Sequence, residues 1–208
     1  IIPADQISYN ERLAERTEWG NSGLSLRWGR QWNEKFYSNL KISGSNFFRS
    51  YNFVYDYLFT TPDSAQAGNF GFSLRNRVED PNIVFDNELT ISNKVLLEFG
   101  FSAVEYNISN KTVVNTKTTD STHNQGKLGS LYTTAKFDFT DRLNVSFGIR
   151  SNHHQINKLW YHEPRLSATY KINDKLNLKS AIGRYYQFVN QIQYDDPYNG
   201  LQSFWVFS

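Results

Sequence analysis

Cysteine and methionine are absent from the 208 residues, and proline occurs only five times. Without cysteine there is no disulfide, no thiolate nucleophile and no sulfur-ligated zinc. The chain opens on IIPADQISYNER, with no initiating methionine and with neither the basic start nor the short apolar core of an export signal. It is therefore expected to be a piece of a longer protein or a mature segment. No apolar run approaches the roughly 20 residues that a membrane helix needs, so a membrane-embedded form would have to cross as strands. Apolar residues at three-and-four spacing are missing too, which leaves an all-β chain. Charge of one sign is also lacking: the net charge is +2, and the 22 Lys and Arg are scattered singly. That pattern gives no basic patch for nucleic acid.

What the sequence has instead is alternation. In EPRLSATYKINDKLNLKSAIGRYYQ, residues 163–187, Leu166, Ala168, Tyr170 and Ile172 take every second place, and Leu176, Leu178 and Ile182 resume after a short turn. Side chains alternate across a sheet, so this hairpin has one apolar and one polar face. The same pattern recurs in GLSLRWGRQW, where Leu24, Leu26, Trp28 and Trp32 oppose Ser25, Arg27 and Gln31, and in FYSNLKISGSNFF, LGSLYTTAKFDF and LNVSFGIRS. About eight strands are expected. The least clear one runs from about residue 76 to 91, with Asp80-Pro81 near its upper part.

Connections are expected to differ at the two ends. The turns at Asn33, Ser92, Asp141 and Asn173 are short, whereas TTPDSAQAGN, NKTVVNTKTTDSTHNQ, NHHQINKLWYH and QIQYDDPYNGLQ read as longer loops. In a meander, alternate connections share an end, so short turns gather at one end and loops at the other. Strands of about 10 residues or more, with that asymmetry, fit a tilted crossing of a bilayer better than a soluble sandwich, whose strands run about 5 or 6. Aromatic residues stand near both strand ends: Trp28, Trp32, Phe36, Tyr37, Phe137 and Phe139 at one, Trp160, Tyr161, Tyr185, Tyr186 and Phe188 at the other. Rings in two bands suit the two headgroup regions. The charges Arg27, Lys41, Lys136, Arg165, Lys171 and Lys179 all fall on the polar register. The apolar face is thus expected to meet lipid, and the polar face to line an aqueous or plugged interior.

Chemistry is sparse. There is no GxSxG, no HExxH and no phosphate-cradling glycine loop, so no enzyme and no cofactor are expected. His153 and His154 are adjacent, which on a strand turns them to opposite faces, and a solvated loop is the simpler reading. No metal site is expected. Asp195 and Asp196 could hold calcium or a sugar hydroxyl, although Asp beside Pro is ordinary turn chemistry. Tyr161, Tyr185 and Tyr198 could stack on a sugar or an aromatic ligand, or serve as interface anchors.

The run GKLGSLYTTAKFDFTDRLNVSFGIRSNHH followed by EPRLSATYKINDKLNLKSAIGRYYQF resembles the barrel of TonB-dependent outer-membrane receptors, closest to those of Bacteroidetes. The matching elements are Thr140-Asp141-Arg142-Leu143, Gly148-Ile149-Arg150, Glu163-Pro164-Arg165-Leu166 and Gly183-Arg184; WGNSGLSLRWGRQWNEKFYSNLKIS and SNKVLLEFGF resemble further family strands. The resemblance covers about residues 19–188. It implies a partial antiparallel up-and-down transmembrane β-barrel, about eight or nine strands of a barrel of about 22. Residues 1–208 would all belong to the barrel domain, with the plug domain and energy-coupling box outside them. It further implies a bacterial outer-membrane receptor in contact with lipid, its own plug and the TonB complex, taking up a ferric siderophore, cobalamin, glycan or peptide. Two alternatives remain: a complete eight-stranded structural or adhesive barrel, which needs its first and last strands paired, and a soluble carbohydrate-binding β-sandwich. An outer-membrane phospholipase-like enzyme is more remote, for want of a Ser and His pair.

Overall fold

Four tight turns of one design organise the chain. In the computed structural model, which describes residues 7–193 and 204–208 in full and the backbone of 194–196 and 200–203, each turn has two central residues: Glu34-Lys35, Asn93-Lys94, Asp141-Arg142 and Asp174-Lys175. Each is closed by the preceding Asn, Ser or Thr, whose side-chain oxygen accepts the amide of the residue two further on. The pairs are Lys35 to Asn33 at 2.9 Å, Lys94 to Ser92 at 3.3 Å, Arg142 to Thr140 at 3.2 Å and Lys175 to Asn173 at 2.9 Å. Just before each turn a register shift leaves one large apolar residue unpaired: Trp32, Ile91, Phe139 and Ile172. These bulges project exposed apolar side chains around one rim.

Between the turns lie the strands β1 (Ser8–Asn33), β2 (Phe36–Thr61), β3 (Ser64–Glu79), β4 (Asn82–Ser92), β5 (Val95–Val114), β6 (Lys117–Thr140), β7 (Leu143–His154), β8 (Leu159–Asn173) and β9 (Leu176–Gly183). They form one antiparallel meander in chain order, with β3 and β4 together acting as a single return strand between β2 and β5. The interruption is Asp80-Pro81. Proline has no amide to give the ladder, and beside it the Asp80 carboxylate takes the place of a backbone carbonyl, accepting the Ser45 amide at 2.7 Å and the Ser45 hydroxyl at 2.6 Å. This return strand begins at Ser64, well before the expected residue 76, and β1 begins at Ser8 rather than near Gly23.

The opposite end corrects the sequence reading further. The segments expected as long loops at 60–69 and 110–125 are strand, joined by the two-residue turns Pro62-Asp63 and Asn115-Thr116. Asn115 and Thr116 take left-handed φ of 46° and 70°, and the Asn115 amide and side chain both bond to Gly71 of the neighbouring strand. Polarity on both faces suggested loop; Thr-rich segments pair well as strands once both faces are in water. The His153-His154 loop likewise shrinks to residues 155–158. Strands of 26 residues extend roughly 85 Å and are about two and a half times as long as the roughly 10 residues with which a strand crosses a bilayer. The two-residue hairpins therefore sit at the tips of long projecting ribbons.

Burial is inverted relative to a water-soluble domain. The apolar register stays open: Leu24 is 83% exposed, Leu26 71%, Leu131 59% and Ile182 73%. Buried apolar residues reduce to Phe72, Ile108 and Leu128 among the described residues, whereas Ser38, Asn39, Asn76, Asn87, Ser130, Asn152, His154 and Glu163 are buried. A sandwich would put Leu and Ile inside. The meander is open, with β1 and β9 at its edges and no pairing between them among the described residues. That differs from the closed eight-stranded alternative.

The last hairpin also differs from expectation. QIQYDDPYNGLQ is not all loop, and FWVF does not extend the meander. Instead β10 (Val189–Asp196) and β11 (Gly200–Phe207) pair with each other as a separate two-stranded sheet. Ring contacts of β11 place this hairpin on the polar face of the wall.

Candidate functional site on the polar wall

Register puts Asn39, Asp86, Gly100, Tyr132, Arg150 and Glu163 in one row across β2, β4, β5, β6, β7 and β8. Gly100 lets this row connect. A Cβ there would fall 2.2 Å from the Phe85 carbonyl oxygen and 2.9 Å from the Tyr132 hydroxyl, so the missing side chain lets β4 and β5 pair closely and leaves the space through which Tyr132 reaches past β5 and donates to Asp86 Oδ1. Asn39 Nδ2 donates to the other oxygen of Asp86 at 3.4 Å, and Asn39 Oδ1 accepts from Arg27 Nε on β1. On the far side the Arg150 guanidinium lies 5.2 Å from the Tyr132 ring centre and donates to Ser102 Oγ and Ser130 Oγ, each at 2.9 Å, and to Asn152 Oδ1 at 3.0 Å. Ser130 Oγ also donates to Asn152 Oδ1 at 2.7 Å. One polar network thus spans β1 to β7.

Glu163 continues the row at the β8 edge. It is 4% exposed, receives Arg165 Nη2 at 2.6 Å and accepts the Tyr186 amide at 3.0 Å. The buried carboxylate therefore ties the EPR segment to the chain leaving β9. Lys136 pairs with Glu98 one level closer to the short turns. All these groups are fixed donors, acceptors and paired charges. Such a surface suits contact with water or another polar surface, and it supplies no activated nucleophile.

The second feature is the seat of the β10–β11 hairpin. Trp205 lies 6.1 Å from Phe47, and Phe207 lies 6.4 Å from Tyr106 and 6.1 Å from His154. His154 stands at the end of β7, 3% exposed, with Phe188 at 5.3 Å on its other flank. His153 turns to the opposite face against Trp160 at 5.1 Å. The two histidines therefore diverge as strand geometry requires, and His154 is a buried wall residue rather than part of a solvated loop. Gly126 makes room for the hairpin, since a Cβ there would meet the Phe207 ring at 2.6 Å. Beside it, a cleft of about 340 Å³ opens between Leu74, Asn110, Thr112 and Thr122 on the wall and Phe204 and Trp205 on the hairpin.

Above the hairpin the polar register turns aromatic: Tyr51 faces Phe72 at 6.2 Å and Phe53 faces Phe70 at 6.0 Å. Burial, and after it the negative charge of Glu15, pushes the Tyr51 phenol above its ordinary pKa. Of the candidates read from sequence, Tyr161 lies on this face, packed against Tyr186 at 4.8 Å and Phe188 at 5.2 Å. Tyr185 is 66% exposed and stacks under the Arg165 guanidinium at 4.8 Å. Tyr198 and the side chains of Asp195 and Asp196 lie outside the described residues. Tyr161 and Tyr185 thus make separate contacts near the end of β9, whereas the Asp86–Tyr132 contact joins residues far apart in sequence. Its only sequence signal was the polar register together with a glycine inside a strand.

An open antiparallel meander with an apolar outside and a networked polar inside is a section of barrel wall. Residues 3–204 match the model of the family described as TonB dependent receptor-like, beta-barrel, and the chain belongs to that family. Among solved structures, the ferric enterobactin receptor PfeA (G324V mutant) of Pseudomonas aeruginosa is similar at 10% identity, covering 87% of this chain and 34% of its own, with a TM-score of 0.45. The siderophore receptor PirA of Acinetobacter baumannii gives 14% identity, 86% and 34% coverage and a TM-score of 0.45. PirA of P. aeruginosa gives 12%, 96% and 43%, with 0.44. The chain thus spans about a third to two fifths of the length of those receptors. No curated protein sequence matches.

Proposed function

We propose that the chain is part of the wall of a bacterial outer-membrane receptor that takes up a scarce ligand with energy relayed through TonB. The observation that carries this reading is the inversion of burial. Leucine and isoleucine stand open on one face, while Asp86, Tyr132, Arg150 and Glu163 bond to neighbours on the other. Lipid would cover the first face, and a plug domain elsewhere in the receptor would meet the second. Residues 1–208 would all be barrel, in a central part of a larger one. The EPR hairpin and the TDRL turn favour a receptor of the Bacteroidetes kind. The role is transport and not catalysis.

Ligand class is not selected by any one residue. The aromatic surface of Tyr51, Phe53, Phe70 and Phe72, and separately the ring cluster of Tyr161, Tyr186 and Phe188, suit a ring-bearing ligand such as a siderophore, a cobalamin or a sugar. The test uses the full-length receptor in its own envelope. Cells are given labelled ferric siderophore, cobalamin, oligosaccharide or peptide, and accumulation is compared with and without the receptor and with and without TonB. One ligand class is expected to accumulate only when both are present; uptake that survives loss of TonB overturns the reading.

A further inference from the structure

Beyond the bilayer the two faces of the wall exchange character. On β2 the register of Lys41 and Ser43 continues as Tyr51, Phe53, Tyr55 and Tyr57, while that of Leu40 and Ile42 continues as Ser50, Asn52 and Asp56. On β1 the register of Ser25 and Arg27 becomes Tyr9, Glu11, Leu13 and Glu15, and the outward one becomes Arg12, Arg16 and Glu18. No register shift separates the two halves, so the exchange is written in the sequence and not made by a bulge. About 10 residues from the short-turn rim cross the bilayer, which leaves this stretch in water. Lipid therefore accounts for the apolar face nearer the rim and not for this one. An aromatic face outside the membrane marks a surface that another molecule covers.

Three rows make up the surface, running from β1 across β2 to β3: Glu11–Tyr57–Gly68, Leu13–Tyr55–Phe70 and Glu15–Phe53–Phe72. Gly68 keeps it flat, since a Cβ there would overlap the Tyr57 ring that lies across it. Leu13 is 60% exposed, and Tyr57 and Phe70 are exposed beside it. The charge on this face is of one sign. Among the described residues Glu15 has no hydrogen bond or ion pair, and Glu11 accepts only the Tyr55 hydroxyl, at 3.2 Å. No Lys or Arg stands on this face of β1–β3 until Arg49, two rows below Glu15. The Tyr51 phenol between them is raised by burial and then by the Glu15 charge, which registers the negative potential.

We propose that the inner side of the projecting β1–β3 ribbon binds an extended basic peptide, with cations at Glu11 and Glu15 and an apolar side chain between them on Leu13, Tyr55 and Phe70. This rests on the receptor reading above and narrows its ligand class, since charge discriminates where rings do not. Glu11 and Glu15 are four residues apart on an extended strand, a separation of about 13 Å. A peptide in the same conformation carries its side chains i, i+2 and i+4 on one side at that spacing, one above each row. A lysine stem lies along the rings while its ammonium reaches a carboxylate. An anionic chelate or a phosphate would instead meet two carboxylates with no cation beside them. A flat sheet also suits an elongated ligand, whereas compact ligands take concave pockets.

The test is fluorescence anisotropy with the delipidated full-length receptor in detergent. The probe is a dye-labelled, end-capped nonapeptide with lysine at its third and seventh residues and leucine at its fifth, the rest glycine and serine. Wild type is expected to bind it at least tenfold more tightly than the same peptide with glutamine for lysine, and added salt should narrow the difference. Glu11→Gln with Glu15→Gln should abolish the preference. Glu18→Gln, the same charge change on the outward face, should leave it intact. Heat-modifiable migration confirms that each variant is folded. Equal binding of the lysine and glutamine peptides, or a preference that survives the double substitution, overturns the proposal. So does a neutral glucose oligosaccharide that binds more tightly than the lysine peptide and is released by the double substitution. Uptake by cells with and without TonB is scored alongside. A lysine preference lost in the double variant, with no TonB-dependent uptake of any ligand class, defeats the receptor reading and keeps the surface. TonB-dependent uptake with no lysine preference defeats only the surface.

Discussion

Tyr132 donates its hydroxyl to Asp86 across an intervening strand, because Gly100 between them has no side chain. The contact ties β6 to β4 over β5 and brings the Arg150 guanidinium to the other side of the same ring. Four strands of the wall, β4 to β7, therefore share one junction, and Gly100 is the position where a single methyl group would break it.

Gly100→Val is accordingly expected to press on the Phe85 carbonyl, displace Tyr132 and leave Asp86 with the weaker Asn39 contact alone, at a combined cost of about 1–3 kcal/mol. Tyr132→Phe removes only the hydroxyl and should cost about 1 kcal/mol. Denaturant unfolding of the full-length receptor, followed by loss of heat-modifiable migration, checks both. Equal stability of Gly100→Val and wild type would refute the junction.

The two faces should respond oppositely to charge. Leu131 points outward at the middle of the apolar band, and Leu131→Arg there is expected to destabilise by about 2–4 kcal/mol in phospholipid vesicles. Thr134 lies on the polar register opposite Glu98, where Thr134→Arg should change stability by less than about 1 kcal/mol. Unfolding titrations of the two variants in the same vesicles provide the comparison, and similar losses in both would contradict the assignment of faces.

Much of this wall was legible in the sequence because alternation is a one-residue rule. Leu166, Ala168 and Tyr170 read as one face and Arg165, Ser167 and Lys171 as the other, and the register confirms each. The four short turns were legible for a similar reason, since Asn33, Ser92, Thr140 and Asn173 cap their own turns locally. What alternation cannot show is where a strand ends in water. There, both faces are polar, and the Thr- and Asn-rich ribbon around Asn115 looks like loop. Nor can it show the long-range partners: Asp86 and Tyr132 meet through register, and Phe207 finds Tyr106 and His154 only because the last hairpin folds back onto the wall. Of the candidate site, Tyr161 and Tyr185 were legible as rings near a strand end, but not the network running from Arg27 to Arg150.

Gly126 tests that fold-back. With the Phe207 ring lying where a Cβ would be, Gly126→Leu is expected to unseat the β10–β11 hairpin while leaving the meander paired. Hydrogen exchange should quicken at residues 189–193 and 204–207 and stay slow in β5 and β6. Trp205 fluorescence should shift to longer wavelength as the ring leaves Phe47. Unchanged exchange in the hairpin would show that its seat does not depend on this contact.

The projecting tip of β1 and β2 carries a pH-sensitive contact. Tyr9 and Tyr55 share a hydrogen bond at 2.5 Å, and Tyr55 also donates to Glu11 at 3.2 Å. The bond to Tyr9, first among several causes, raises the Tyr55 pKa above the ordinary phenol value of 10.0, with the Glu11 contact adding to it. A phenol whose folded pKa is raised stabilises the fold fully below its unfolded pKa, and that contribution fades as pH climbs from about 10 towards the folded value. Tyr9→Phe should bring the Tyr55 titration back towards the ordinary value, and Glu11→Gln should lower it by a smaller step. Ultraviolet titration of phenolate absorbance, taken as the difference between each variant and the same variant bearing Tyr55→Phe, measures both. If Tyr55 already ionises near 10 in the unsubstituted receptor, the two rings do not share this bond.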